Sequence, residues 1–373
     1  MPTPGYSSRM NADIGGRVAG SISASSVFDT HKQLAAKVGM TPDAFSRAVN
    51  GSRAFSAIEL AEIADALAVD IHWLITGVED PNKLLVAARH DYDFASGART
   101  VSSWEQDEEV LKEIALAYRQ AFTETDPPPS ALPSSAEEVR TGLGSGFVRR
   151  FSDRLEHEYA VDVVRMPNLK TSYYLSIRGR QIIVLAATAN WFRENWSIAH
   201  EVGHIAEGHL ATSCEPNRGN EADANAFAAE LLLPAAVMRS VDWSNMDEPA
   251  LASWIWEAGV STEALARRFS GLSMQVPPKI NTCLGQSTQR LLRRHWRPTS
   301  ADVDPITLRM DESASRRFPI TLQDAHISAI ADGRLGKGTL AWMLGINPID
   351  LEVDMPSVDN SVESEDLAEL LGL

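Results

Sequence analysis

Cysteine is scarce in this chain. Two occur in 373 residues, Cys214 and Cys283, far apart and in no CxxC arrangement. That excludes a disulfide framework and fits a reducing, cytoplasmic setting. Basic charge is also short: 34 Lys plus Arg face 50 Asp plus Glu, a formal net charge of −16. The molecule as a whole therefore does not adhere indiscriminately to nucleic acid or anionic membranes, and any contact with DNA comes from a local patch. No apolar run approaches the roughly 18 residues of a membrane span. The start, "MPTPGYSSRMNADIGG", has no basic stretch followed by an apolar one, so no secretory signal is expected. What is present is ordinary for a globular chain, 44% hydrophobic and 23% charged, and the length suggests two or three domains.

Residues 10 to 77 read as a run of short helices. Thr30 with Gln33 and Ser56 with Glu59 have capping-box spacing. Gly39 ends one helix, and Thr41 with Pro42 starts the next. Residues 80 to 102 are polar and weakly patterned. "SSWEQDEEVLKEIALAYRQAFTE" is expected to be helical, and "TDPPPSALPSS", with four prolines, to be an extended linker. "EEVRTGLGSGFVRRFSDRLEHEY" reads mainly as helix; its "TGLGSG" lacks the strand-turn-helix context of a phosphate loop. "AVDVVRM", "YYLSIRG" and "RQIIVLA" read as strands. Asn190 is expected to cap the helix that carries "HEVGH", "NEADANAFAAELLL" forms another ended by Pro234, and "WIWEAGVSTEALARRFSGL" a third. Trp243, Trp254 and Trp256 read as core. "TLQDAHISAIADG" and "GTLAWMLGINPIDLE" look helical; the latter echoes "QLAAKVGMTPDAF", which suits a shared helix–turn–helix shape or a repeat. The tail from Asp350 to Leu373 has eight acidic residues and no Lys or Arg, the composition of a disordered segment. The expected domains are 1–80 (helix-turn-helix), 81–135 (helix and Pro-rich linker), 136–274 (metal domain), 275–352 (helical C-terminal domain) and 353–373 (acidic tail).

The chemistry concentrates in "NWSIAHEVGHIAEGHLA". Residues four apart on a helix lie about 40° from each other around its axis, so His200 and His204 project from one face and can hold one ion. Glu201 lies on the flank, where it can reach a metal-activated water as general base. Gly203 leaves room for close packing. The flanks are apolar, and a buried unpaired His pair would be costly, which disfavours a merely polar surface helix. A catalytic zinc needs a third protein ligand and an open position. Glu221 on the next helix is the first choice, with Asn225 on the same face and Ala224 and Ala228 allowing close approach; Glu230 is the alternative. His209 is turned away by helical phase and is given a structural or supporting role. Cys214 reads as a loop cysteine or a redox-sensitive switch. Tyr173, Tyr174 and His209 are the candidates for an oxyanion donor.

In the N-terminal module the second helix, the Gly39 turn and the third helix have the proportions of a DNA-reading helix-turn-helix. Ser46, Arg47 and Asn50 are candidates for base contacts, and Gln33, Lys37 and Arg53 for phosphates. Residues 1–80 carry 6 Lys plus Arg against 9 Asp plus Glu, a net of −3. Recognition would then rest on Arg47 and Arg53 rather than on a broad field, and a protein-binding bundle is the other reading.

"IAHEVGHIAEGH" followed by "NEADANAFAAELLLP" after a strand resembles the ImmA/IrrE-type metallopeptidase family. The second segment has Glu221, Asn225, Phe227, Ala228, Leu231, Leu232 and Pro234 at the offsets of that family's pattern. The resemblance covers about residues 136–270. It implies a zincin-like domain, one Zn2+ per chain on His200, His204 and Glu221, and Glu201 as general base. It also implies a protein substrate, a repressor whose cleavage derepresses genes. Residues 10–77 resemble the Xre-type helix-turn-helix that many members carry. The fold class expected is mainly α with a small β-sheet (α+β): an N-terminal helical bundle, a central metallopeptidase domain and a helical C-terminal region. A DNA-binding regulator with a non-hydrolytic zinc sensor and an antitoxin-like binding module are the rival readings, and a homodimer is left open. The Pro-rich linker and the C-terminal third are expected to gate the cleft.

Overall fold

A computed structural model describes residues 4–78, 85–88, 91–92, 99–100, 104–123, 126–209, 218–298 and 304–353. The chain divides into two compact units, Met1–Lys83 and Leu84–Leu373. Most of it is helical with a small sheet, as composition and periodicity predict. Among the described residues, no helix is long and apolar enough to cross a membrane.

The first unit holds α1 (Pro4–Ala24), α2 (His31–Lys37), α3 (Pro42–Val49), α4 (Ala57–Leu67) and α5 (Ile71–Thr76). Thr30 and Ser56 form the capping boxes that their spacing predicts, and Thr41 and Asp70 cap α3 and α5. Gly39 takes φ +66 between α2 and α3, a left-handed value that glycine adopts without strain. Val18, Leu34, Phe45, Ile63 and Leu74 make the centre of a separate apolar core. Arg17 fastens α1 to the C-terminal end of α5, donating to the Leu74 carbonyl at 2.9 Å and the Ile75 carbonyl at 2.7 Å.

The second unit begins with β1 (Leu85–Ala88), β2 (Asp91–Tyr92) and β3 (Arg99–Thr100), followed by α6 (Trp104–Ala121), α7 (Ala136–Leu143) and α8 (Phe151–Tyr159). The segment expected to be mainly helical is broken between α7 and α8, because Gly144 and Gly146 have φ +77 and +65. Then come β4 (Val161–Met166), β5 (Tyr173–Ile177) and β6 (Arg180–Ala186), within a residue or two of the predicted strands. Arg178 and Gly179, both at positive φ, make the tight turn that joins β5 to antiparallel β6. β4 pairs parallel to β6, and β1 pairs antiparallel to β5, in the order β1-β5-β6-β4. β1 was not visible in the weakly patterned sequence.

Both faces of the sheet are buried, which is why β4 and β6 read as nearly continuous apolar runs. Val161, Val163, Ile183 and Leu185 face one core, shared with α9 (Trp191–Ala206) and α10 (Arg218–Leu232). Val164, Tyr173, Leu175, Ile182 and Val184 face a second core, against α6. The remaining helices are α11 (Ala235–Ser240), α12 (Glu248–Ala258), α13 (Thr262–Gly271), α14 (Pro278–Leu284), α15 (Thr288–His295), α16 (Pro305–Ala314), α17 (Ile320–Ala331) and α18 (Gly338–Leu344). The stretch predicted as one helix over 254–272 is two, since Gly259 turns left-handed and Ser261 caps α13. The echo of the α2–α3 pattern does not give a second helix pair: after α18 the chain turns at Gly345 and buries Leu351.

Ile280, Leu284, Leu291, Leu292 and Ile306 belong to the same core as α9, and Phe318, Leu322, Ile330, Leu340 and Met343 to the core beneath α6. Residues 275–352 thus share their cores with the helices and strands before them, within the one compact unit Leu84–Leu373. The Pro-rich segment is docked, not a free spacer. Ser130 and Ala131 donate backbone N–H groups to Gly179 and Tyr159 at 3.2 and 3.0 Å, and Arg180 donates to the Pro128 carbonyl at 3.2 Å. The acidic tail beyond residue 353 lies outside the described residues.

Candidate metal centre

α9 starts at Asn190, whose side chain accepts from the Arg193 N–H at 3.1 Å, and runs into the first core with Ile198, Ala199 and Val202 against the sheet. Its opposite side meets α10. The approach is close because position 203 is glycine: a Cβ there would stand 2.9 Å from the Ala224 Cα and 3.0 Å from its carbonyl oxygen. This contact brings three side chains together. His200 Nε2 and His204 Nε2 are 3.1 Å apart, and each is 3.5 Å from a carboxylate oxygen of Glu221. His200 is fully buried, His204 nearly so, and the Glu221 side chain is 12% exposed.

The donor set fits a divalent cation. All three ligand atoms lie within 4.8 Å of one another. A tetrahedral ion with bonds of about 2.0–2.1 Å would set its ligands about 3.3 Å apart, close to the spacings found here. Burial raises the cost of ionising Glu221, yet its hydrogen bonds and charge interactions with His200 and His204 prevail and hold the carboxyl well below the ordinary glutamate range. A carboxylate and two imidazoles crowded in an apolar setting call for a cation to balance them.

A second layer orients the imidazoles. Asn225 donates its amide N–H to the Glu221 carbonyl at 2.7 Å, which turns its Oδ1 toward His200 Nδ1 at 3.2 Å. An oxygen there suits a hydrogen on Nδ1, the tautomer that would leave Nε2 to ligate a cation in place of its hydrogen bond to Glu221. On the other imidazole, Nδ1 of His204 is 3.2 Å from Nδ1 of His209. Burial and the neighbouring His204 keep His209 below the ordinary histidine pKa, so it stays neutral at pH 7. The helical-phase argument against His209 fails because α9 has already ended. Gly208 takes φ +67, and the His209 N–H bonds the His204 carbonyl at 2.9 Å. The supporting role given to His209 matches this contact. The position of Asn225 one turn after Glu221 was the signal for the other support.

Glu201 is 1% exposed beside His200. Glu230, the alternative ligand, is committed elsewhere: it forms an ion pair with Arg268 and accepts from the Ala235 N–H at 3.1 Å. Two oxyanion candidates are also engaged. The Tyr173 hydroxyl donates to Asp107 at 2.7 Å within the second core, and the Tyr174 hydroxyl to Gln181 at 2.6 Å. Cys214 lies outside the described residues; Cys283 is a buried free thiol.

In the first unit, Ser46 and Arg47 on α3 and Asn50 at its C-cap are exposed, with Asn50 3.5 Å from the Ser46 hydroxyl and Arg47 3.6 Å from Asp43. Gln33 is exposed, but its carboxamide oxygen accepts from the Asp29 and Thr30 N–H groups. Arg53 is bound to Glu59 at 2.7 Å, which occupies the guanidinium expected to meet a phosphate. Lys37 is exposed at the end of α2.

No curated protein and no solved structure matches this chain. Residues 157–270, from the end of α8 through α13 and including His200, Glu201, His204 and Glu221, match the family model described as Peptidase_M78, the IrrE N-terminal-like domain, which supports a metallopeptidase-type function.

Proposed function

We propose that the chain is a zinc-dependent endopeptidase that cleaves a transcriptional repressor or a similar helix-turn-helix regulator, derepressing the genes it controls. The convergence of His200, His204 and Glu221 beside a buried Glu201 carries this reading. Two neutral imidazoles and one carboxylate suit zinc and leave room for a fourth position, the pattern of catalytic rather than structural sites. When bound, the metal would polarise a peptide carbonyl and acidify water. Glu201 takes the proton of the attacking water and returns it to the leaving amine. Asn225 and His209 hold the two imidazoles in their ligating orientation. Ser46 and Arg47 on α3, with Asn50 at its C-cap, give the first unit a surface for DNA or for the substrate, which would target or regulate cleavage.

The experiment is incubation of the zinc-loaded protein with helix-turn-helix repressors encoded beside it. Glu201→Gln is expected to keep its zinc, measured by elemental analysis, while cleavage falls by about 10²–10⁴-fold, the usual contribution of a general base. Undiminished cleavage by that variant removes Glu201 from the mechanism. Tight repressor binding without turnover by the zinc-loaded wild type favours a non-hydrolytic sensor.

A further inference from the structure

A cleft of about 670 Å³ opens between the start of α8, the first half of α9 and the α16 region. It is separate from the metal centre. Trp191, Glu194, Asn195 and Ile198 line it, and these lie about 150° around α9 from His200 and His204. Its volume falls in the range of small-molecule sites, about 300–1,000 Å³.

Six arginines line it, Arg149, Arg150, Arg165, Arg309, Arg316 and Arg317. Four are matched by carboxylates. Arg165 pairs with Glu194, Arg317 with Glu156 at 2.6 Å and Asp153 at 2.9 Å, Arg150 with Asp153 at 2.9 Å, and Arg149 with Glu257. Arg309 and Arg316 are not matched. Arg309 is half-buried, 4.8 Å from the Trp191 ring centre and 5.8 Å from that of Trp256, and donates only to the Val148 and Arg149 carbonyls. Arg316 lies over Trp342 at 5.8 Å and donates to that residue's carbonyl. Among the described residues, neither forms a salt bridge.

Arginine remains charged in such a setting, and a half-buried cation without a directly paired carboxylate is costly. Burial holds Arg309 below the ordinary guanidinium value; Glu312, Glu194 and Glu257 oppose the effect from a distance and Arg149 adds to it. Asp311 and Glu312 are exposed and also line the cleft. With Glu156 and Glu257, which pair with Arg317 and Arg149, six carboxylates stand against the six arginines, so what is unusual is not the net charge but that Arg309 and Arg316 have no ion-pair partner among the described residues.

We propose that this cleft is a binding site for a small anionic ligand bearing phosphate groups, anchored by Arg309 and Arg316. Guanidinium forks suit phosphate oxygens, and the tryptophan-backed wall would accept a flat ring if the ligand has one. Inorganic pyrophosphate and a nucleoside triphosphate share the phosphate chemistry and differ in that ring.

The test is calorimetric titration of the full-length zinc-loaded protein with pyrophosphate and, separately, with ATP. Saturable binding of one or both at or below about 1 mM is expected. Arg309→Met and Arg316→Gln, each shown to be folded by circular dichroism, are expected to weaken it by about tenfold or more. Glu221→Ala, which disables the metal centre, is expected to leave it intact. Tighter binding of ATP than of pyrophosphate marks a nucleotide site, and equal binding a site for the phosphates alone. Arg309→Met removes packing as well as charge; if it does not fold, Arg316→Gln decides. No binding by the wild type, binding undiminished in a folded arginine variant, or binding abolished by Glu221→Ala would overturn the proposal.

Discussion

At the scale of single residues, the candidate metal centre draws on Asn225 as well as on the three ligand residues. Its amide bridges the Glu221 carbonyl and His200 Nδ1, so one side chain ties the ligand of α10 to a ligand of α9. Asn225→Ala would leave the His200 Nδ1 hydrogen without its acceptor and the ring free to turn. Zinc affinity is expected to fall by about 10–100-fold, the usual cost of losing such a partner, as measured by competition with a chromophoric chelator. Asn225→Asp keeps an oxygen at that position and is expected to retain most of the affinity. If alanine binds zinc as tightly as asparagine, His200 is oriented by packing alone.

At the scale of elements, the centre exists because α9 and α10 touch. Gly203→Ala puts the choice between effects in numbers. Alanine favours a helix interior over glycine by about 0.8–1.0 kcal/mol. The new Cβ, however, meets the Ala224 backbone at 2.9 and 3.0 Å, where no side chain can swing away. Overpacking of this kind costs about 1–3 kcal/mol, so the clash prevails. A lower melting temperature is expected together with weaker zinc binding, because separating the helices carries Glu221 away from the imidazoles. An unchanged melting temperature would mean that α10 shifts freely. A second element-scale expectation concerns α16, which walls the anionic-ligand cleft. Asp304 caps it. A bond from Thr307 and then one from Arg293 bring the Asp304 carboxyl from 3.8 down to about 2. A depressed folded-state pKa means that the stabilisation is present above about pH 4 and is lost as pH falls through about 2. The difference in melting temperature between wild type and Asp304→Asn should therefore shrink over that window; a constant difference would assign the effect to shape rather than charge. These elements differ in how far the sequence reveals them. α9, α10 and strands β4 to β6 are legible because caps such as Asn190 and β-branched runs act locally. The helix break at Gly259 had its signals, a glycine followed by Ser261, within a stretch otherwise periodic. β1 had none, since it is held by backbone pairing with β5 rather than by its own pattern. The Glu221–His200–His204 convergence was readable from helical phase, whereas the His209 contact was not, because it depends on where α9 ends.

At the scale of the molecule, the second unit is larger than the segment that carries the family pattern. The two faces of one sheet are covered by helices from distant parts of the chain: α9 and α10 on one side, with Ile280, Leu291 and Ile306 from beyond residue 275, and α6 on the other with Phe318, Leu322 and Leu340. Such long-range packing has no local signature, which is why a boundary at 274 seemed natural in the sequence. Arg317 strengthens the case against it. Its backbone pairs with Arg165 on β4, and its side chain binds Glu156 and Asp153 of α8. Removing residues 275–373 would strip all of these at once. Losing one buried Leu or Ile side chain to alanine already costs about 2–5 kcal/mol, against a total stability of about 5–15 kcal/mol for a typical domain. The truncated chain 1–274, and the fragment 136–274 more so, are therefore expected to aggregate or to lack cooperative thermal unfolding rather than to act as ungated, faster peptidases. Residues 1–83 have their own core of Val18, Leu34, Phe45, Ile63 and Leu74, and are expected to fold alone with helical circular dichroism and a sharp melting transition. A soluble 136–274 fragment that binds zinc and melts cooperatively would show that the C-terminal helices are an appendage to the metal domain and would restore the case for gating.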